Sequence, residues 1–354
     1  MSNTIDRRMR LSAAFAPQAI ATSGEHTIAE MRWFPVQEPV SGSRYSFLRV
    51  KTRSGLTGWG ECAETSAHDT KALQQEWLGR SATMYAAIHR SSPLAGALDM
   101  ALLDIVGKSC RAPVYRVLGG PTRHKVRAFT DSNAAAFSAA GIAVPKPASR
   151  NQGKAYENQV LALVKELPED RDFVLSGSGS ITAGDAASVA RAVEGLHPLW
   201  FDEPCSVANA ETVRKVSGET VTPLGFGRGI TDAGVFQMLL REGLIDVVRP
   251  DIAHWGISGV RQIATLAEAY YVAIAPHHDG GPVATAAALH LAASVPNFFI
   301  QHVPLPVDPK DREMRTAIVS GGLETPRDGF LQLPTEPGLG IQVNEAALEK
   351  YHAA

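Results

Sequence analysis

From residue 125 to residue 302 the chain repeats one unit: a short apolar run, a polar or charged residue at its end, then a connecting stretch. Eight runs read as strands, at 125–130, 141–146, 172–177, 198–204, 222–227, 245–251, 272–278 and 297–302. Most of the gaps carry helical periodicity, as in Ala155 to Leu167, Ala183 to Val193, Ile257 to Ala269 and Val283 to Ser294. Seven run ends carry Lys146, Ser176, Asp202, Arg228, Asp251, His277 and His302, at intervals of 30, 26, 26, 23, 26 and 25 residues. Eight strand–helix units fill roughly 200–250 residues, so this spacing predicts a TIM-like barrel of parallel strands. The seven residues are then expected at the C-terminal mouth of the barrel, where such folds do their chemistry. Solvation of loops explains polar strand ends. It does not explain two aspartates and two histidines on one ring.

The N-terminal third has a different pattern. Met31 to Val36 and Tyr45 to Thr52 read as strands, Ser54-Gly55 as a turn, and Leu56 to Cys62 as the returning hairpin strand. Residues 71–119 read as mostly helical and stop at Gly119-Gly120-Pro121. Within them Leu98, Ala101, Leu102, Ile105 and Val106 recur at the spacing of a core-facing helix. The tail after 315 is long and carries Pro334, Pro337 and Gly338-Leu339-Gly340, so it is expected to fold back. The expected organisation is a leader over 1–26, an α+β capping domain over 27–122 completed by 315–354, and a (β/α) barrel over 123–314.

Composition narrows the function classes. The 354 residues carry a formal net charge of −2, which gives no electrostatic pull towards nucleic acid or an anionic membrane. No apolar run reaches the roughly 18 residues of a membrane-spanning helix. Three scattered cysteines, Cys62, Cys110 and Cys205, fit a reducing compartment and no disulfide framework. Arg7-Arg8 before Leu11 and Ala13 to Ala16 has the outline of a twin-arginine export signal, but Pro17 and Gln18 cut the apolar stretch short. A cytoplasmic protein is the expectation.

Several stretches carry a family signature. They are Gly55 to Glu61, Ala97-Leu98-Asp99 through Gly120, Trp200-Phe201-Asp202-Glu203-Pro204, Arg249-Pro250-Asp251-Ile252-Ala253-His254, Ala275-Pro276-His277 and Val295 to Gln301. In these the chain resembles the enolase superfamily in its mandelate racemase/muconate lactonizing enzyme branch, closest to the galactonate dehydratase group, from about residue 28 onward. The resemblance implies proton abstraction beside a carboxylate, with a magnesium ion stabilising the enediolate. It places three acidic metal ligands at positions that here hold Ser176, Asp202 and Arg228. Only Asp202 is a carboxylate, with Glu203 beside it. A guanidinium cannot ligate a cation, and one carboxylate rarely holds magnesium. The metal site therefore reads as degenerate: no cofactor is expected, although magnesium held by relocated ligands stays open.

The resemblance also assigns bases. His277 is expected to be the general base, oriented by Asp251, and His302 replaces a glutamate on the eighth strand. Lys146 stands alone where related racemases carry a lysine pair. Ser178 takes the place of a histidine two residues past the first ligand. Ser176, Ser178, Arg228 and His254 are the candidate substrate contacts. Two activities remain open. One is a metal-independent lyase or isomerase acting on a small hydroxy-carboxylic acid, with Arg228 in place of the ion. The other is an inactive or ligand-binding protein in which Arg228 plugs the site through a salt bridge to Asp202 and Glu203. The expected partners are a small carboxylic acid and further copies of the chain. Gly225 to Gly229 lacks the third glycine of a dinucleotide fingerprint, and Ser176 to Ser180 lacks the lysine of a phosphate loop. His277-His278-Asp279 has no partner at metal-ligand spacing.

Overall fold

The computed structural model describes residues 24, 26–131, 134–147, 153–168, 170–177 and 179–353. The expected leader, with its arginine pair, falls almost entirely outside them, as does Ser178. Among the described residues no helix is long and apolar enough to cross a membrane.

The N-terminal unit is an antiparallel meander of β1 (Ile28–Gln37), β2 (Arg44–Thr52) and β3 (Thr57–Ala63). Helices α1 (Ala67–Trp77), α2 (Ala95–Ser109) and the short α3 (Val114–Val117) follow. Leu98, Ala101, Leu102 and Ile105 of α2 pack with Leu48, Val50 and Trp77 in one buried cluster, as the helical spacing predicts.

The second unit is the barrel. Its parallel strands are β4 (Lys125–Thr130), β5 (Ala139–Ala143), β6 (Phe173–Ser176), β7 (Phe201–Asp202), β8 (Leu224–Phe226), β9 (Val247–Val248), β10 (Ala273–Ile274) and β11 (Gln301–His302). They pair in sequence, β11 pairs back onto β4, and hydrogen bonds from Ile274 N to Asn297 O and Phe299 N to Ile274 O close the ring. The crossovers are α4 (Lys154–Val164), α5 (Ala183–Val193), α6 (Ala210–Gly218), α7 (Ala233–Arg241), α8 (Ile252–Glu268) and α9 (Pro282–Ala292), with α10 (Pro309–Ile318) after β11. Phe129, Ala139, Val174, Trp200, Val247, Ala275 and Ile300 meet inside the ring as its packed core.

The first unit departs from the repeat. Only residues 131–138 join β4 to β5, and the described part holds no more than a 3-10 turn at Ala134–Ala136. A parallel crossover ordinarily needs a dozen or more residues. The register explains the economy: β5 opens at Ala139 opposite Phe129, near the end of β4, so the link need not travel back along the strand. The half of β4 that β5 does not reach is paired antiparallel by β12 (Phe330–Gln332) from the tail. Buried Phe137 and Leu331 pack in the main hydrophobic cluster beside Val126 and Ala128.

The tail serves both units. Beyond β12, Leu339 N donates to Asp104 and Val114 N to Gly338 O. Helix α11 (Glu345–Lys350) then reaches the meander, where Glu345 pairs with Arg49 and Glu349 with Arg32. Buried carboxylates of the first unit fasten it to the barrel. Glu61 on β3 accepts from the backbone N–H of Gly281, Val283 and Ala284 at the start of α9. Asp99 on α2 accepts from Ser258 N, against the kink where Gly256 adopts φ 67°. A Cβ at Gly256 would lie 2.5 Å from Asp99 Cβ.

Candidate functional site

The ends of β6, β7, β8, β10 and β11 bring one polar cluster together. Asp202 closes β7 and is fully buried. Both its oxygens are taken by Arg249: Nε donates to Oδ1 at 2.8 Å and Nη2 to Oδ2 at 3.3 Å. Trp200 Nε1 adds a third donor at 3.0 Å. Burial alone would push this carboxyl up, but the guanidinium holds it below the ordinary range. Arg249 is itself buried, gives Nη1 to Ala275 O at 2.6 Å, and lies over the rings of Trp200 and Phe129. The pair is neutral and complete without Arg228.

Arg228 therefore faces the mouth. Its backbone turns there through Gly227, whose φ of 147° brings it so near Arg249 that a Cβ would lie 2.7 Å from the Arg249 carbonyl carbon. Glu203, itself at φ 44°, accepts from Gly227 N at 2.7 Å and Arg228 N at 2.8 Å, fixing that turn. Burial, then the charge of Asp202, raises the Glu203 carboxyl to about 7. The Arg228 side chain is 27% exposed. Its Nη1 donates to Ser176 Oγ at 3.1 Å and lies 3.5 Å from Asp202, and its Nε points at His277 Nε2, 3.3 Å away. Of the counter-ions expected from the sequence, Asp202 does pair with Arg228, at 3.5 Å, but gives its shorter bonds to Arg249, and Glu203 accepts from backbone N–H groups.

His277 is fully buried, its ring stacked on His302 at 5.0 Å with 14° between planes. His302 Nε2 lies 2.9 Å from Asp131, one residue past β4. Two histidine–carboxylate pairs therefore stand face to face, since His277 Nε2 lies 3.1 Å from Asp279 Oδ1. The expected pairing of His277 with Asp251 is corrected. Asp251 caps α8, accepting from Ala253 N at 2.8 Å, and His277 is bonded through the backbone to the residues on either side of it, Ile252 N to His277 O and His277 N to Pro250 O. His277 Nδ1 has no partner among the described residues. Burial raises the Asp251 carboxyl to about 7.

Two other expected contacts stand apart. Lys146 is exposed and makes no ion pair with a described residue. His254 lies with Asp251 in a cavity of about 230 Å³ between the barrel and the loop Cys62 to Thr65, its ring edge-on to Trp255. Arg249, Asp131 and Asp279 are the site residues that sequence reasoning left out. Each had a signal. Arg249 shares a strand face with Asp251, Asp131 directly follows the first strand, and Asp279 follows the histidine pair directly.

Burial drives His277 to about 3, with the charges of Arg228 and His302 pushing the same way. The folded chain then keeps this ring neutral where an unfolded chain protonates it near 6.5. Its contribution to stability is complete above that value and is lost as pH falls towards 3, by about 1.4 kcal/mol per pH unit. Guanidinium unfolding at pH 6.5 and pH 5 checks this. The wild type is expected to lose about 2 kcal/mol more over that interval than His277→Asn.

The three positions that would hold a divalent ion do not offer a matching ligand set. Ser176 contributes a hydroxyl engaged by Arg228, Asp202 is bound on both oxygens by Arg249, and Arg228 brings a cation. Among the described residues no group of three or more His, Cys, Asp or Glu could hold a metal.

Comparison with known proteins gives the same architecture. A family model described as enolase C-terminal domain-like matches residues 121–347. A D-galactonate dehydratase of Ralstonia pickettii (strain 12J) is 29% identical over 346 residues, covering 86% of this chain and 90% of that protein. A D-galactonate dehydratase family member of Streptomyces bingchenggensis (strain BCW-1) is also 29% identical, covering 88% and 90%. The crystal structure of an enolase from Agrobacterium radiobacter, with bound sodium and L-malate, superposes with a TM-score of 0.82 at 28% identity, covering 92% and 95% of the two chains.

Proposed function

This chain belongs to the enolase C-terminal domain-like family, and from that premise we propose that it is a metal-independent lyase or isomerase acting on a small hydroxy-carboxylic acid. Arg228 takes the place of the ion. The relatives named as dehydratases support the lyase class, and the L-malate bound to the Agrobacterium protein supports a small carboxylic acid as ligand. One observation carries the reading: Arg249 neutralises Asp202, so Arg228 is left as a partly exposed cation 3.3 Å from the neutral imidazole of His277.

Those residues divide the chemistry. Arg228 holds the substrate carboxylate through its fork and stabilises the charge that builds on it as the neighbouring carbon loses a proton. His277, whose neutral ring can accept a proton, takes it. For an elimination, His302 returns a proton to the leaving hydroxyl, with Asp131 holding its ring. Proton loss and hydroxide loss then sum to water, and no redox partner is needed.

The plug reading also has an observation behind it, since Arg228 already touches Ser176, Asp202 and Asp279. Arg228→Lys separates the two. It keeps the charge and loses the fork, so under the clamp reading acid binding weakens by roughly 1.5–3 kcal/mol. Titration calorimetry with D-galactonate and L-malate, in EDTA and again in magnesium, measures it. Altered thermal stability with unaltered acid binding would establish the plug.

A further inference from the structure

Asp279 has an unusual position. Its side chain is 79% exposed, yet its carboxylate reaches the two groups that the proposed function assigns to the substrate. Oδ1 lies 3.1 Å from His277 Nε2 and 3.9 Å from Arg228 Nη2. The two neighbours of Nε2 make opposite demands. Arg228 Nε–H at 3.3 Å needs a bare nitrogen that accepts, whereas Asp279 needs an N–H that donates. A neutral ring satisfies one at a time, and His277 Nδ1 has no partner to fix the tautomer from the far side. Of the two neighbours, Arg228 is tied down by Ser176 and Asp202, while Asp279 can swing into solvent.

We infer that Asp279 is an internal stand-in for the substrate's carboxylate: it covers the cationic end of the pocket, keeps Nε2 protonated at rest, and is displaced when an acid binds. With Asp279 gone and the acid held on the outer edge of the Arg228 fork, the remaining neighbour of Nε2 is Arg228 Nε–H, which needs an acceptor. The ring proton then moves to Nδ1 by exchange with solvent, with no net uptake, and Nε2 becomes the lone-pair nitrogen. The base is thereby armed by the ligand itself. Asp279 acts through His277, so it is a positioning residue. Because a resident carboxylate must be outcompeted, the pocket selects acids that can use the Arg228 fork over weaker anions.

This inference rests on the Arg228 clamp, and the experiment keeps the two distinguishable. Two-bond proton–nitrogen spectra of histidine-labelled protein report the tautomer, with His277→Asn assigning the signal. The wild type is expected to show a protonated Nε2. Asp279→Ala should move His277 to the Nδ1–H form, and saturating D-galactonate or L-malate should move the wild type the same way. Calorimetry should show both acids binding Asp279→Ala about tenfold more tightly, the gain expected when a competing state is removed. An unchanged tautomer in Asp279→Ala, or acids bound no more tightly than by the wild type, overturns the inference. If Arg228→Lys loses affinity while Asp279→Ala gains none, the clamp holds and the stand-in alone fails; if Arg228→Lys loses none, the clamp fails and the stand-in with it.

Discussion

Arg249→Met is expected to lower the free energy of unfolding by about 3–5 kcal/mol, because it leaves a buried carboxylate without its counter-charge. Asp202 is bound through both oxygens by Arg249, and both side chains are buried. Denaturant unfolding of Arg249→Met measures the loss, and Arg249→Met with Asp202→Leu should recover most of it by removing both charges together. The single change also tests the site. With Arg249 gone, Arg228, already 3.5 Å from Asp202, becomes its only cation and turns inward. Acid binding should then vanish in a protein that is still folded. A stability loss under about 1 kcal/mol would mean that water reaches Asp202 and that the pair is not sealed.

The second large effect concerns rate. His277→Asn should reduce turnover of any accepted hydroxy acid by about 10²–10⁴-fold, the usual contribution of a positioned base. The variant keeps a polar side chain of similar reach, so circular dichroism should be unaltered and acid binding through Arg228 should persist. Consumption of the hydroxy acid is the readout, with formation of a 2-keto acid where a 2,3-dihydroxy acid such as D-galactonate is dehydrated. Retained turnover would pass the role to His302, whose ring stacks on His277 and already has Asp131 as partner.

How much of this was legible depends on what each feature rests on. The barrel followed from spacing, because a strand–helix unit consumes a nearly fixed length of chain. The missing first helix was visible as a short gap, but the register that permits it was not, since pairing between β4 and β5 is a property of two strands together. The expected Asp251–His277 dyad failed through a competition within one residue. An aspartate directly before an apolar helical run is also a helix cap, and the backbone N–H groups of α8 claimed it. The partners His277 did acquire, Arg228 and Asp279, lie 49 residues away and two residues away. Nearness in sequence made Asp279 look like part of a histidine cluster, and only its direction in space shows that it faces the base. Arg249 escaped for a related reason. Its strand parity put it inside the barrel, yet a buried arginine is credible only once its aspartate is seen beside it.

The pairing of β12 with β4 bears on how the chain is made. Phe330 to Gln332 complete a strand edge that begins at Lys125, so some two hundred residues must leave the ribosome before that edge finds its partner. Until then the lower part of β4 offers unpaired N–H and C=O groups to any extended chain nearby. The N-terminal meander can form early from its own hairpins. The barrel is instead completed from its far end, a high-contact-order closure that favours slow, post-translational folding and a nascent form in need of shelter from aggregation.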